Sequence, residues 1–437
     1  MLDINLLRHD PEYVVNALAK RGKSIDLSAF LELDQERRHL IHEVETLKAE
    51  KNQQSKQIPL LKKKGEDTAG IMEEMKRLSE QIKSSEARLA ALDDEQYHFM
   101  IGLPNLPADS VVAGGKENNQ CMKIFGEKPS FSFSPRHHVD LAESLGLIDY
   151  QRGAKLSGSG FWIYRGWGAI LERALLNYFI DEHLKDGYEM LLPPHILLYE
   201  CGLTAGQFPK FEDDVFQLRD RPGDEASDRK DAAFTRFILP TAETAIVNLY
   251  RDEILDEKEL PKKFFALTPC YRREAGSYRA EERGMIRGHQ FNKVEMFQFT
   301  TPEDSEAALS ELIEKACRLL QGLGLHFRLS KLAAGDVSAS MRETWDIEVY
   351  IPSMGGYKEV SSVSQAGDYQ ARRGNLRYRS EKTQKAEFMH TLNGSGLATS
   401  RVFPAILEQF QNEDGSVTIP EVLRPYMQGK EKLFPGA

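Results

Sequence analysis

Two heptad series decide how the first quarter of this 437-residue chain can fold. In the first, Leu33, Leu40, Val44, Leu47, Ile58 and Leu61 recur at alternating spacings of three and four, with Arg37, Lys51 and Gln54 at the remaining seam positions. The second runs through Ile71, Met75, Leu78, Ile82, Ser85, Leu89, Leu92, Gln96, Phe99 and Leu103 without a slip. Residues three and four apart share one face of a helix, so each series predicts a helix with one seam. Between them Lys62-Lys-Lys-Gly-Glu-Asp-Thr68 reads as a turn, and the pair is expected to fold back as an antiparallel hairpin over about 27–103. Roughly 30 to 35 residues per helix, at about 1.5 Å rise each, make an arm on the order of 50 Å long. Pro59 predicts a kink or an end near Gln57, because an interior proline costs about 3 kcal/mol.

Such an arm serves either as a dimerising coiled coil or as a lever that reaches a distant part of a large ligand. Lys48, Lys51, Lys56, Lys62, Lys63, Lys64, Lys76, Arg77, Lys83 and Arg88 would supply phosphate contacts in the second case and a solvated face in the first. A formal charge of -10 argues against a uniformly basic nucleic-acid binder but leaves room for local basic patches. The length suits two or three domains, and 41% hydrophobic composition supports a sizeable core. Cys121, Cys201, Cys270 and Cys317 lack metal-ligand spacing and fit free thiols in a reducing compartment. With no apolar run of about 18 residues and no signal pattern at Met1-Leu-Asp-Ile-Asn, a cytoplasmic protein with no membrane partner is expected.

The organisation read from these patterns is an N-terminal domain over 1–103, a linker over 104–135 and a mixed domain over 136–437. Pro104, Pro107, Gly114 and Gly115 mark the linker. A long helix over about 167–184 leads into Gly187-Tyr-Glu-Met-Leu-Leu-Pro-Pro194, a glycine stop followed by a strand ended by prolines. Residues 219–233 read as a charged surface loop.

The chemistry concentrates further on. Thr268-Pro-Cys-Tyr-Arg-Arg-Glu-Ala-Gly-Ser277 reads as a strand running into a turn, which would put Arg272 and Glu274 on one face. Gln290-Phe-Asn-Lys-Val-Glu-Met-Phe-Gln-Phe299 returns as a second strand with Phe291, Lys293 and Glu295 on one face. A face carrying arginine, two glutamates and an aromatic ring suits a nucleotide cradle, or else a solvated hairpin laced with ion pairs.

These strings resemble class II aminoacyl-tRNA synthetases: 187–194 is similar to motif 1, the Arg272–Glu274 hairpin to motif 2, and Leu392-Asn-Gly-Ser-Gly-Leu-Ala-Thr-Ser-Arg401 with the helix after it to motif 3. Within that class the match is to seryl-tRNA synthetases of the bacterial type. It rests on Thr241-Ala-Glu243, Gln207-Phe-Pro-Lys-Phe-Glu212, Glu359-Val-Ser-Ser362, Gln370-Ala-Arg-Arg373, Pro420-Glu-Val-Leu-Arg-Pro-Tyr-Met427 and the heptad hairpin. The resemblance implies an α+β chain: a coiled-coil arm followed by an antiparallel sheet flanked by helices. It also implies a homodimer built through motif 1, and an arm that grips the long variable arm of serine tRNA.

The activity implied is ATP-dependent activation of L-serine to seryl-adenylate and transfer to the 3′ end of serine tRNA, with selenocysteine tRNA as a further acceptor. By the same resemblance Thr241, Ala242, Glu243, Glu295 and Ser395 bind serine. ATP falls to Arg272, Arg273, Glu274, Gly288, His289, Gln290, Phe291, Glu359, Val360, Ser361, Ser362 and Arg401. Arg272, Glu274 and Arg401 are the implied catalytic set, and Glu359 with Ser362 would hold Mg²⁺, which prefers oxygen ligands. Three departures stand out: Arg279-Ala280 where relatives carry glycine then a basic residue, Val363-Ser-Gln-Ala-Gly367 for a Cys-Ser-Asn string, and Ala398-Thr-Ser-Arg401 for Val-Gly-Arg. Each is expected beside the active site. Two other readings stand beside it: within enzymes, a paralogue that activates a small amino acid for another acceptor such as a carrier protein, which would lack this arm; and, from a different class, an inactive RNA-binding or scaffold protein, which would be free to lose Arg272, Glu274, Glu359 or Arg401.

Overall fold

A computed structural model describes residues 1–219, 234–274 and 284–436. The chain divides into two units, one of Leu2–Leu18 and Ser24–Pro104, the other of Met1, Ala19–Lys23 and the chain from Asn105 onward. Among the described residues, no helix is long and apolar enough to cross a membrane.

The first unit is helical: α1 (Ile4–His9), α2 (Pro11–Ala19), α3 (Ser28–Lys64) and α4 (Ala69–Gly102). Every predicted seam position of α3 and α4 is buried or half-buried. Helix α3 does not end near Gln57 but continues through Pro59 to Lys64. The proline deletes only the bond its own N–H would have made to the Ser55 carbonyl, and Ser55 and Pro59 are both exposed to water. On either side of it Ile58 and Leu61 still reach the seam, and Gly65 closes the helix in the left-handed conformation at φ 76°. Several basic residues have partners within the arm: Lys48 meets Glu86 at 2.7 Å, Arg88 meets Glu36 at 2.8 Å and Arg77 meets Glu74 at 2.5 Å. Exposed pairs of this kind are each worth under about 1 kcal/mol.

One charge in this unit is buried rather than exposed. Asp34 is fully buried, accepting from Arg8 Nη2 at 2.6 Å, from Arg8 Nε at 2.9 Å, from Arg38 Nε at 3.0 Å and from Gln96 Nε2 at 3.0 Å. It ties α1 to both helices of the hairpin at its base.

The second unit is built on an eight-stranded sheet: β1 (Gln120–Phe125), β2 (Glu189–Leu191), β3 (Lys262–Tyr271), β4 (Gln290–Thr300), β5 (Phe327–Lys331), β6 (Glu343–Ile351), β7 (Gly356–Gly367) and β8 (His390–Ala398), in the order β1-β5-β6-β7-β8-β4-β3-β2. All neighbours are antiparallel except β2 and β3. The segment read as a linker therefore contains an edge strand. Phe125 stacks on Phe327 at 4.5 Å, and Asn105 donates to the Ser340 and Ala366 carbonyls at 2.9 and 2.8 Å. Six residues among glycines and prolines are too few for periodicity to reveal a strand, and its partner lies some two hundred residues away.

Helices α5 (Trp167–Lys185), α6 (Ser305–Gly322) and α8 (Thr399–Gln409) cover one face of the sheet, while α7 (Tyr369–Gly374) supports the other. Strand β4 divides cleanly by parity. Val294 and Met296 join the core under α5, α6 and α8, whereas Phe297 and Phe299 join a second core on the opposite face. Phe291, Lys293 and Glu295 share that opposite face and lie where its apolar packing stops.

Asp34 gives a direct test. Burial alone would raise its pKa, but the Arg8 hydrogen bonds and charge hold it below the ordinary value of 3.8. Its contribution is therefore present above pH 4 and lost as pH falls through the folded value. Asp34→Asn should cost about 2 kcal/mol at neutral pH, read as a lower midpoint of helix loss in circular dichroism, and the difference from wild type should shrink as the pH falls through the folded value.

Candidate active site

The polar half of β4 floors a cavity of about 560 Å³. Its walls come from β7 and β8, from the start of α8, and from segments around 207–215, 240–243, 272–274, 286–288 and 338–341.

At one end six polar side chains converge. Glu295, fully buried on β4, stands directly opposite Ser395 of β8, whose hydroxyl donates to it at 3.4 Å. Asn393, two residues earlier on the same face, bridges Glu295 at 3.0 Å and Glu243 at 3.3 Å. Glu243 begins a short helix, Glu243–Ile246, and accepts from Gln370 of α7 at 2.8 Å. Gln370 is itself fixed by Thr391 at 2.6 Å and by donation to the Ala205 carbonyl at 3.0 Å. Lys293 places its ammonium 2.7 Å from the Thr241 hydroxyl and 2.5 Å from Glu295. Burial, then the charge of Glu295, pushes the Glu243 carboxyl up to about 7, with Gln370, Lys293 and Arg272 opposing that rise.

The other end is basic and aromatic. Arg272 lies with its guanidinium 5.3 Å from the centre of the Phe291 ring and donates to the Pro240 carbonyl at 3.3 Å. Glu274 meets Arg287 at 3.4 Å. Arg401, the third residue of α8, donates to the Glu359 carbonyl at 2.7 Å and meets its carboxylate at 3.3 Å. Strand β3 stops at Tyr271, so Arg272 and Glu274 are not held on one face by strand alternation as expected. Arg272 keeps one further link to the His289 carbonyl, and Glu274 turns with φ at 49°, which brings both side chains to the cavity by a different route.

Glu359 and Ser362 are three apart on β7, a spacing that a regular strand would send to opposite faces. Both nevertheless line the cavity. The register explains it: Glu359 pairs with Glu348 and Ser361 with Ile347, leaving Val360 as the extra residue of a bulge. Beside them Asp346 of β6, paired with Ser362, has a buried oxygen Oδ1 with no hydrogen-bond partner. Burial and then the Glu359 charge hold the Asp346 carboxyl well above the usual carboxylate range. Carboxylate and hydroxyl oxygens with an orphaned buried oxygen at their side suit a hard divalent cation.

Of the residues expected here, Thr241, Glu243, Arg272, Glu274, Gly288, Phe291, Glu295, Glu359, Val360, Ser362, Ser395 and Arg401 line one cavity. Gly288 is there because a Cβ would run into Trp162. Five expected residues do not line it. Ala242 is buried beneath, Gln290 is exposed, and Arg273 donates to the carbonyls of Asp213 and Asp214. His289 turns its ring to the Arg272 carbonyl at 2.9 Å, and Ser361 donates to the Ser395 carbonyl at 2.6 Å, supporting the site from behind.

Lys293, Asn393, Arg287 and Gln370 were missing from the expected set. Two of them were within reach, since Lys293 shares the parity of Phe291 and Glu295 and Asn393 that of Ser395.

Two of the departures reach the cavity wall, one through Ser364 and the other through Ala398 and Ser400. Gln365 is buried on the other side of β7, held by Ser305 and Glu306, and Ser364 is the residue of that string that reaches the cavity. Thr399 lies under the start of α8, donating to Glu172 of α5 at 2.6 Å. The loop bearing Arg279 and Ala280, like most of the charged loop at 219–233, lies outside the described residues.

Residues 1–107 match the family model of the seryl-tRNA synthetase N-terminal domain, and residues 227–410 that of the tRNA synthetase class II core domain (G, H, P, S and T). A relative from Clostridium acetobutylicum, described as serine–tRNA ligase 2, is 60% identical over 434 residues, 99% of this chain and 100% of the relative. A serine–tRNA ligase from Nitratidesulfovibrio vulgaris is 45% identical over 99% of this chain and 100% of its own. Among solved structures, a seryl-tRNA synthetase from Pyrococcus horikoshii complexed with ATP superposes with a TM-score of 0.91 at 32% identity, covering 100% of both chains. A cytoplasmic serine–tRNA ligase from Naegleria fowleri in complex with AMP gives 0.86 at 26% identity, covering 100% of this chain and 99% of that one.

The state of Glu243 is open to measurement. An unfolded chain releases this proton near 4.5 and the folded chain near 7, so between those values the native state holds the extra proton. Stability then falls as pH rises through that window. Glu243→Gln keeps the acceptor for Gln370 and removes the titration. In urea unfolding at pH 5 and pH 8, the variant should gain on wild type by up to ~3 kcal/mol at the higher pH. Equal pH slopes for the two proteins would mean that Glu243 is ionised throughout.

Proposed function

The chain belongs to the class II seryl-tRNA synthetase family, and from that premise we propose that the cavity on β4 is where serine and ATP react. What carries this reading is the convergence of twelve residues of the serine and ATP sets, drawn from five separate stretches of sequence, in one cavity with acidic groups at one end and arginines at the other.

In the first step an oxygen of the serine carboxylate bonds to the α-phosphorus of ATP and pyrophosphate leaves, giving seryl-adenylate. In the second, a hydroxyl of the terminal tRNA adenosine attacks the carbonyl carbon and AMP leaves. Neither step forms a bond to the protein, so rate acceleration comes from positioning and from offsetting charge at phosphorus. Arg272 is suited to the α-phosphate, because a planar guanidinium makes paired hydrogen bonds to phosphoryl oxygens. Arg401, in the first turn of α8, adds its charge to the positive end of the helix and is assigned the distal phosphates. Phe291 takes the adenine ring and Glu274 accepts from its exocyclic amine. Glu359 and Ser362 would hold Mg²⁺, which when bound offsets charge on the ATP phosphates.

Glu243 and Thr241 are assigned the substrate ammonium, and Glu295 with Ser395 the substrate hydroxyl. Alanine or glycine would leave that buried pair without a partner, which costs far more than a missing methylene in an apolar pocket. In this reading the arm within 1–103 takes the long variable arm of serine tRNA, and the chain after 135 carries the chemistry. A homodimer through motif 1 is supported by Leu184, Leu192, Ile196 and Leu198, which stay between 41% and 77% exposed around edge strand β2. A cytoplasmic location and charging of selenocysteine tRNA belong to the same reading.

Amino-acid-dependent exchange of pyrophosphate into ATP, without tRNA, tests the core of the proposal. Serine should support exchange and alanine, glycine, threonine and cysteine should not. Arg272→Ala should lower the serine rate by about a thousandfold, roughly 4 kcal/mol in barrier, with its unfolding midpoint unchanged. Near-normal exchange in that variant would remove Arg272 from the phosphate site.

The arm is separable. Deleting 28–94 and closing the gap should leave serine exchange within about threefold of wild type and abolish preference for serine tRNA over other tRNAs. Selective charging by the shortened chain would exclude the arm as the tRNA-reading element.

A further inference from the structure

The pocket assigned to serine already contains an ammonium group. Lys293 is 5% exposed, and its Nζ lies 2.7 Å from Thr241 Oγ1 and 2.5 Å from Glu295 Oε2. Those are two of the groups that the proposed function gives to the amino-acid substrate, and the present inference rests on that reading. Around them the other donors are neutral: Asn393 bridges the two glutamates, and Gln370 holds Glu243. Among the described residues Lys293 is therefore the cation that touches a carboxylate, Glu295, at this end of the cavity.

Two glutamates buried side by side without a cation would be strongly unfavourable, because each loses its hydration. A lysine on a flexible four-carbon stem offsets that cost and can still turn away. When an amino acid enters, its own ammonium competes for the same oxygens, and two ammonium groups cannot share them. The incoming molecule also brings a carboxylate, which has no partner at the acidic end.

We infer that Lys293 is a positioning residue that stands in for the substrate ammonium in the empty pocket and passes to the substrate carboxylate when the amino acid binds. The exchange is ionically balanced only for a zwitterion. The amino acid delivers a cation to Thr241 and the paired glutamates, with Glu243 the nearer, and an anion to the displaced lysine. A simple amine with the same hydroxyl, such as ethanolamine, would displace Lys293 and leave it with nothing to bind. Lys293 thereby makes the pocket select for the carboxylate from the side that holds the ammonium.

The test compares serine and ethanolamine in the full-length protein, using serine-dependent pyrophosphate exchange with ethanolamine as the inhibitor. In wild type, ethanolamine should inhibit poorly relative to the KM for serine. Lys293→Met should raise the serine KM at least tenfold and lower the ethanolamine inhibition constant at least tenfold, because the two glutamates then lack a resident cation. Lys293→Gln, which keeps a donor toward Thr241 and Glu295 without the charge, should move both constants in the same directions and decides the matter if the methionine variant does not fold. If both ligands weaken together, or neither changes, Lys293 is a structural tether and the inference fails. If wild type shows no exchange with serine at all, it is the functional reading that fails.

Discussion

Everything at this site depends on the parity of one central strand. Gln290–Thr300 runs between β3 and β8, so both of its edges are paired and its register cannot slide. Its even residues are committed to a core: Asn292 bonds Glu172, and Val294 and Met296 pack under the helices. Its odd residues are therefore forced to the opposite face, where Phe297 and Phe299 continue a second core and Phe291, Lys293 and Glu295 do not. A slip of one residue would drive Lys293 and Glu295 into the apolar layer and expose Val294 and Met296. The hydrophobic effect acting on one face thus fixes, to within one residue, which polar groups meet in the cavity.

That constraint creates an electrostatic problem, since it buries two glutamates within reach of one amide. They are handled differently. Glu295 has a lysine at 2.5 Å and a serine hydroxyl, whereas among the described residues Glu243 has the amides of Gln370 and Asn393. Neutral donors stabilise a carboxylate less than a cation does, and Glu243 is the one whose proton is held up to about 7. Under the proposed function this asymmetry is useful. Glu243 is the carboxylate still lacking a cation, and an incoming ammonium would supply it.

The arm and the strand faces were legible because each is a local periodic pattern. All seam positions from Leu33 to Leu103 are buried or half-buried, and Phe291, Lys293 and Glu295 share a face as their spacing demands. Asp34 escaped notice because an acidic residue beside a heptad seam looks like solvated surface until Arg8, far away in sequence, is seen to reach it. The edge strand Gln120–Phe125 was lost for the same reason, its partner being Phe327–Lys331. Arg272 and Glu274 reached the cavity for a reason that alternation did not contain, a chain that leaves the sheet at Tyr271 and turns through a positive φ at Glu274. Long-range pairing and local backbone conformation are the two things that periodicity does not encode.

One such irregularity is nevertheless written in the spacing of the side chains. Glu359 and Ser362 are three apart, as are Ser395 and Ala398, and all four line the cavity. On an uninterrupted strand neither pair could share a face. Each pair spans a register shift, at Val360 on β7 and between Ser395 and Ala398 on β8. A bulge inserts one residue and reverses the parity beyond it, so that a strand can give core residues on one side of the shift and still return a polar group to the cavity on the other. Wherever two polar groups with a shared role sit three apart inside a strand buried on both faces, the strand must contain a bulge between them. Read that way, the Glu-Val-Ser-Ser string at 359–362 specifies its own backbone irregularity, and the ATP end of the cavity follows from it.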